Sequence, residues 1–181
     1  MEPSNAHATA PGTAAPPELR TCFKDALASW ASGVSVVTTR LGDLVYGLTV
    51  SSFTSLSMEP PLVLVCLANT NRMPGMIRES RRFAISLLSS EQNAASTYFA
   101  RSGREPTSGF PEIGEERTNA GMPAVKDAAA FLCCDLFNEM VVGDHTIIVG
   151  RVVEAVARHD REPLLYYRRQ YRVLGSDGAS R

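Results

Sequence analysis

The sequence predicts a mainly β fold, antiparallel, closing into a barrel with flanking α-helices. Three observations carry this. Short β-branched or apolar runs recur at 34–39, 62–67, 83–88, 131–142 and 146–157. Turns built on Leu41-Gly42-Asp43 and Gly143-Asp144 join neighbouring runs as hairpins. No strand–Gly-rich-turn–helix unit occurs, so a Rossmann domain is disfavoured.

The elements follow in order. Residues 1–17 are rich in Ala and Pro and read as a disordered tail. They carry no basic segment followed by an apolar one, so no secretory signal is expected and the expected location is cytoplasmic. Leu19, Phe23, Ala26, Leu27 and Trp30 fall at helical spacing, which predicts an amphipathic helix over 18–32, stopped by Gly33, with Trp30 in the core. Strands at 34–39 and 44–51 flank the first turn. The continuous apolar run at 62–67 predicts a strand covered on both faces. After the strand at 83–88, Ser89 and Ser90 are placed to cap a helix running to residue 100, with Glu91 in its first turn. Residues 101–125 read as a long loop or lid. The strand pair at 131–142 and 146–157 and a last strand over 163–174 complete one domain spanning 18–175, with 176–181 as a tail.

Composition narrows the function classes. A chain of 181 residues fits one domain with its own core. The net charge of −1 supplies no pull toward nucleic acid or an anionic membrane, and neither is an expected partner. No apolar run reaches the roughly 18 residues of a membrane helix. Cys22, Cys66, Cys133 and Cys134 form no Cys-x-x-Cys pair and no zinc spacing with His, so no metal is expected. The thiols read as reduced and mostly buried. Cys133 and Cys134 would point to opposite faces of a strand. There is no Walker Lys motif and no Gly-x-Ser-x-Gly elbow.

The most unusual stretch is Thr49-Val50-Ser51-Ser52-Phe53-Thr54-Ser55-Leu56-Ser57, followed by Met58-Glu59-Pro60-Pro61. Six of its first nine residues bear hydroxyls. Hydroxyls and free backbone N–H groups suit a phosphate or the polar rim of an aromatic ring.

TVSSFTSLSMEPPLVLVCL (49–67) resembles the hallmark of the flavin reductase-like, FMN-binding split-barrel family, the reductase components of two-component flavin-dependent monooxygenases. FKDALASWASGVSVVTT (23–39), SRRFAISLLS (80–89), Gly143-Asp144-His145 with Gly150, and PLLYYR (163–168) are similar to further family segments in the same order. Three features depart: Ser86 stands where the family often has Asn, Pro106-Thr107-Ser108-Gly109 replaces a more usual Asp-Lys before Phe110, and a second Trp common after that Phe is missing.

The resemblance implies an antiparallel split β-barrel of Greek-key type and transfer of hydride from NADH, or NADPH, to FAD or FMN. Reduced flavin would pass to a partner monooxygenase, and the chain would form a homodimer. Gly47, Leu48, Thr49, Ser51 and Ser52 would line the flavin, with Cys66, Leu67 and Ala68 along its ring. Arg72 would meet the phosphate-bearing side and Phe99 would pack on the flavin. His145, Tyr166, Tyr167, Arg168 and Arg169 would surround the nicotinamide nucleotide, His145 orienting it. No side chain acts as a covalent or acid–base catalyst, because hydride passes directly between rings. A tightly FMN-bound oxidase of the pyridoxamine-phosphate-oxidase type and a non-catalytic flavin or haem carrier are the competing readings.

Overall fold

The computed structural model describes residues 14–175; the expected tails at 1–13 and 176–181 lie outside the described residues. In chain order the elements are α1 (Pro17–Ala28), β1 (Ser32–Gly33), β2 (Ser35–Leu41), β3 (Leu44–Val50), β4 (Thr54–Met58), β5 (Pro61–Ala68), α2 (Met73–Ser80), β6 (Arg82–Leu87), α3 (Asn93–Ala100), β7 (Glu115–Arg117), β8 (Pro123–Val125), β9 (Ala130–Val142), β10 (His145–Ala157), β11 (Leu165–Tyr167) and β12 (Gln170–Arg172).

Seven strands form one antiparallel sheet in the order β3-β2-β6-β9-β10-β5-β4. Its two ends curl toward each other. Tyr46 of β3 and Val63, Val65 and Leu67 of β5 enter one core with Val37, Phe83, Ile85, Cys134, Leu136 and Ile148. Met73 and Ile77 of α2 complete this core. No hydrogen-bonded ladder joins β3 to β4 among the described residues, so the barrel is split there. The outer face of β2, β3 and β6 carries a second core, in which Val36, Val45 and Leu88 meet Ala95 and Phe99 of α3, Phe110, Val125 and Leu164.

The hairpin turns behave as their sequences require. Gly42 and Gly143 take φ of 59° and 60°, which a glycine adopts without a Cβ clash. Cys133 and Cys134 do point to opposite faces, and both are fully buried because that part of the sheet is covered on both sides. Burial pushes both thiols up, Cys134 to about 12. Cys22 is exposed on α1, and all four cysteines are free.

Several expectations need correction. The first helix ends at Ala28 rather than 32 and buries no residue; Trp30 is 76% exposed instead of packed in the core. Among the described residues nothing buries its apolar stripe. The 62–67 run alternates along β5, with Val63, Val65 and Leu67 buried and Leu64, Cys66 and Ala68 half-buried. Helix α2 was not expected; Pro74 opens it and Met73 and Ile77 anchor it, but eight residues give periodicity little room. Helix α3 is preceded by Gln92, not by a serine cap, and Gln92 Oε1 accepts the Ser89 N–H at 2.9 Å. The 101–125 segment holds the short hairpin β7–β8. The closing segment is a hairpin rather than one strand, because Arg168 and Arg169 turn the chain with φ of 48° and 60°. The hydroxyl-rich stretch contains edge strand β4, paired to β5 with Leu56 as an extra bulged residue.

Gly150 shows how tightly the strands approach the core. A Cβ there would stand 2.7 Å from Cys134 Cβ and closer still to Phe83 Cζ. Gly150→Ala should therefore cost about 1–3 kcal/mol, a fall in Tm of roughly 3–10 °C in a thermal melt. The raised thiols make a second prediction. At pH 8, iodoacetamide should modify Cys22 in the folded protein, while Cys133 and Cys134 stay unmodified until denaturant is added. Mass mapping that finds native Cys134 alkylated at that pH contradicts the burial described.

Candidate functional site: a cleft at the barrel split

The split leaves the outer edge of β3 without a neighbouring strand. Its first half is covered by the loop after α3. Val45 exchanges both backbone hydrogen bonds with Thr107, at 2.7 and 2.9 Å. The Arg104 guanidinium donates to the Gly47 carbonyl at 2.7 Å and lies 4.5 Å from the Tyr98 ring centroid and 5.0 Å from that of Phe99. Strand alternation then turns the backbone of Gly47 and Thr49 to the same outer edge as Val45. Past the end of β3, at Ser51 and Ser52, the chain opens onto a cleft.

The cleft has a volume of about 640 Å³, within the roughly 300–1,000 Å³ of small-molecule sites. Ser51, Ser52, His145, Tyr166 and Arg169 line it from the barrel and the closing hairpin. Lys24, Leu27 and Ala28 of α1, with Trp30 just beyond it, form the opposite wall. Ser51 also borders two adjoining hollows, one lined by Thr49, Ser96, Tyr166 and Tyr171 and one by Ser32, Val34 and Phe53. Five of the residues expected around the two cofactors thus meet at one place.

Hydroxyls in this region divide into fixed and free. Ser52 Oγ donates to the Cys66 carbonyl at 2.9 Å and accepts the Cys66 N–H at 3.1 Å. This two-way clamp fixes the chain leaving β3 against β5. Thr49 Oγ1 donates to the Ser96 carbonyl on α3 at 2.7 Å. Ser51 is exposed at the mouth of the cleft.

His145 opens β10 directly after the Gly143-Asp144 turn and lies opposite Ala68 of β5. Its Nδ1 is 2.6 Å from Asp144 Oδ1. The hydrogen bond and charge of His145 hold the Asp144 carboxyl below the usual carboxylate range. An ionised carboxylate only accepts, so Nδ1 carries the proton and Nε2 is left for a ligand in the cleft.

The remaining expected residues lie elsewhere. Phe99 is fully buried, edge-on to Tyr98 and Phe110, so its ring has no surface to offer a ligand. Gly47 exists for that ring: a Cβ there would stand 2.6 Å from Phe99 Cδ1. Leu67 is 1% exposed and contributes its side chain to the core, and Leu48 packs on the same core. Cys66 and Ala68 face the other way and remain half-exposed. Arg72 precedes α2 and pairs with Glu105 at 2.6 Å, away from the cleft lining. Tyr167 lies beneath the Arg168 guanidinium, 5.3 Å from its ring centroid. The sequence reading missed Arg104, whose neighbours come from two elements distant in sequence, β3 and α3. It also missed the α1 wall, for which the sequence carries no local signal.

The arrangement fits a flat heteroaromatic cofactor. A free strand edge and the Ser51 hydroxyl can meet a polar rim, while Leu27, Trp30 and Tyr166 supply apolar surface. A profile described as "Flavin reductase like domain" matches residues 27–175, most of the chain, and the chain belongs to that family. The reductase component of 4-hydroxyphenylacetate 3-monooxygenase from Thermus thermophilus is 40% identical over 156 residues, covering 86% of this chain and 97% of that protein. An NADH-dependent flavin reductase from a Rhodococcus species is 36% identical, covering 84% and 85%. Among solved structures, the NADH:FAD oxidoreductase SgcE6 of Streptomyces globisporus, in complex with NAD and FAD fragments, superposes with a TM-score of 0.83 at 29% identity, covering 93% of this chain and all of that one.

Ser52→Ala removes both ends of the clamp and leaves the Cys66 N–H without its acceptor. A loss of about 1–3 kcal/mol in denaturant unfolding is expected, with weaker flavin binding from the loosened cleft wall. Unchanged stability and unchanged flavin affinity would dismiss the clamp as a determinant of the site.

Proposed function

We propose that this chain is an NAD(P)H-dependent flavin reductase that supplies free reduced flavin to a separate monooxygenase. The observation that carries the reading is the meeting of Ser51, Ser52, His145, Tyr166 and Arg169 around one cleft at the open edge of β3. Family membership and the names of the relatives support it. Bound flavin and reduced nicotinamide supply the redox chemistry between them, a hydride passing from one ring to the other.

The chain's own residues bind and orient. The β3 edge and the Ser51 hydroxyl hold the polar rim of the flavin. Ser52 keeps β3 and β5 at a fixed separation. His145 Nε2 orients the nicotinamide end, with Nδ1 anchored on Asp144. Leu27, Trp30 and Tyr166 exclude water from the faces where the rings meet. The cleft is open at one side, consistent with a flavin that arrives and leaves as a substrate. FAD and FMN, and NADH and NADPH, all remain within this reading. We also take the working unit to be a homodimer. The uncovered stripe of Leu19, Phe23, Leu27 and Trp30, each more than half exposed, supports that reading because a lone soluble chain seldom leaves such a stripe bare.

The test is anaerobic oxidation of NADH and of NADPH with free FMN or FAD added. Consumption that depends on added flavin is expected. Its failure with every pairing overturns the reading. His145→Ala should raise the NADH KM or slow hydride transfer by about tenfold while flavin affinity is kept. Unaltered NADH kinetics would remove His145 from the site.

A further inference from the structure

We propose that Lys24 of α1 receives the diphosphate of the pyridine nucleotide in the cleft, an inference that rests on the reductase reading. Helix α1 is tied to the body at two points. The Ala28 carbonyl accepts the Arg168 N–H at 2.8 Å, and Asp25 pairs with Arg169 Nη2 at 2.7 Å. Lys24 lies one turn before Ala28, so the two share a helix face, and both line the cleft. The ties therefore place the exposed Lys24 at the rim of the cavity.

Charge accounting singles out the same residue. Arg169 lines the cleft but is already balanced by Asp25. Arg168 is engaged over the Tyr167 ring and is not part of the lining. Lys24 makes no ion pair among the described residues, so it is the cation of the lining not already balanced. A dinucleotide brings two phosphate charges, and an ammonium facing a partly enclosed, apolar-walled cleft suits them. Position decides which cofactor. The Asp25–Arg169 pair sets Lys24 beside the closing hairpin, whose Tyr166 and Arg169 the reductase reading assigns to the pyridine nucleotide.

The test compares wild type, Lys24→Gln and Lys24→Arg. Fluorescence titration of flavin-free protein with NADH should give a dissociation constant about tenfold weaker for Lys24→Gln, largely recovered in Lys24→Arg. In turnover, NADH KM should rise by a similar factor with kcat nearly unchanged. The rise of NADH KM with added salt should flatten. Kinetics with 1-benzyl-1,4-dihydronicotinamide, a hydride donor without phosphate, should stay the same, as should FMN affinity. Equal NADH affinity in wild type and Lys24→Gln overturns the proposal. So does an equal loss with the phosphate-free donor, or weakened FMN binding at unaltered NADH affinity. The functional reading fails separately, at wild type, if no flavin-dependent NADH oxidation occurs.

Discussion

A sheet that curls without closing leaves two strand edges, and the one beside the site has N–H and C=O groups that need partners. In this protein that edge is the outer side of β3, and most of the site follows from how it is treated. The Val45–Thr107 bonds and the Arg104–Gly47 bond cover its first half. The Ser52 hydroxyl, bonded in both directions to Cys66, fixes where the chain goes next. Between these two fastenings lies a short length of open backbone with the cleft beside it. Natural sheets normally hide such an edge; in the proposed function a flavin covers it.

The two cores make this arrangement rigid. The inner core draws β3 and β5 to opposite sides of one cluster and thereby sets the width of the split. The outer core presses α3 and the 101–125 segment onto β2 and β3. Gly47 and Gly150 allow Phe99 and Phe83 to approach the backbone directly. Buried Ser86 accepts the Val125 N–H at 2.9 Å, tying the β8 strap to β6. Ser86 thus has a structural task at a position where Asn is the more usual family residue.

The α1 side of the site is held by few contacts. Helix α1 has no buried residue and depends on the closing hairpin, whose two arginines adopt left-handed backbone that costs non-glycine residues about 1–3 kcal/mol each. The same turn makes the ties to α1, Arg168 N–H to Ala28 and Arg169 to Asp25. The same hairpin presents Tyr166 to the cleft. Backbone conformation at two residues therefore decides whether the α1 wall stands where a ligand would meet it.

By itself the sequence determined the strand-rich class, the two long hairpins, the hydroxyl-rich segment and the histidine that opens β10. Each is legible because its signal is local: β-branched runs, glycine turns and a motif read in a row. Tertiary structure alone decided which hydroxyls are free, since Thr49 and Ser52 spend theirs on partners 47 and 14 residues away. It also decided that Phe99 is core, that Trp30 is exposed and that α1 walls the cleft. A stripe of apolar residues states that a helix face will be covered, but not by what. Only the tertiary structure shows that this stripe stays uncovered among the described residues, because the curled sheet fills its cores from other elements.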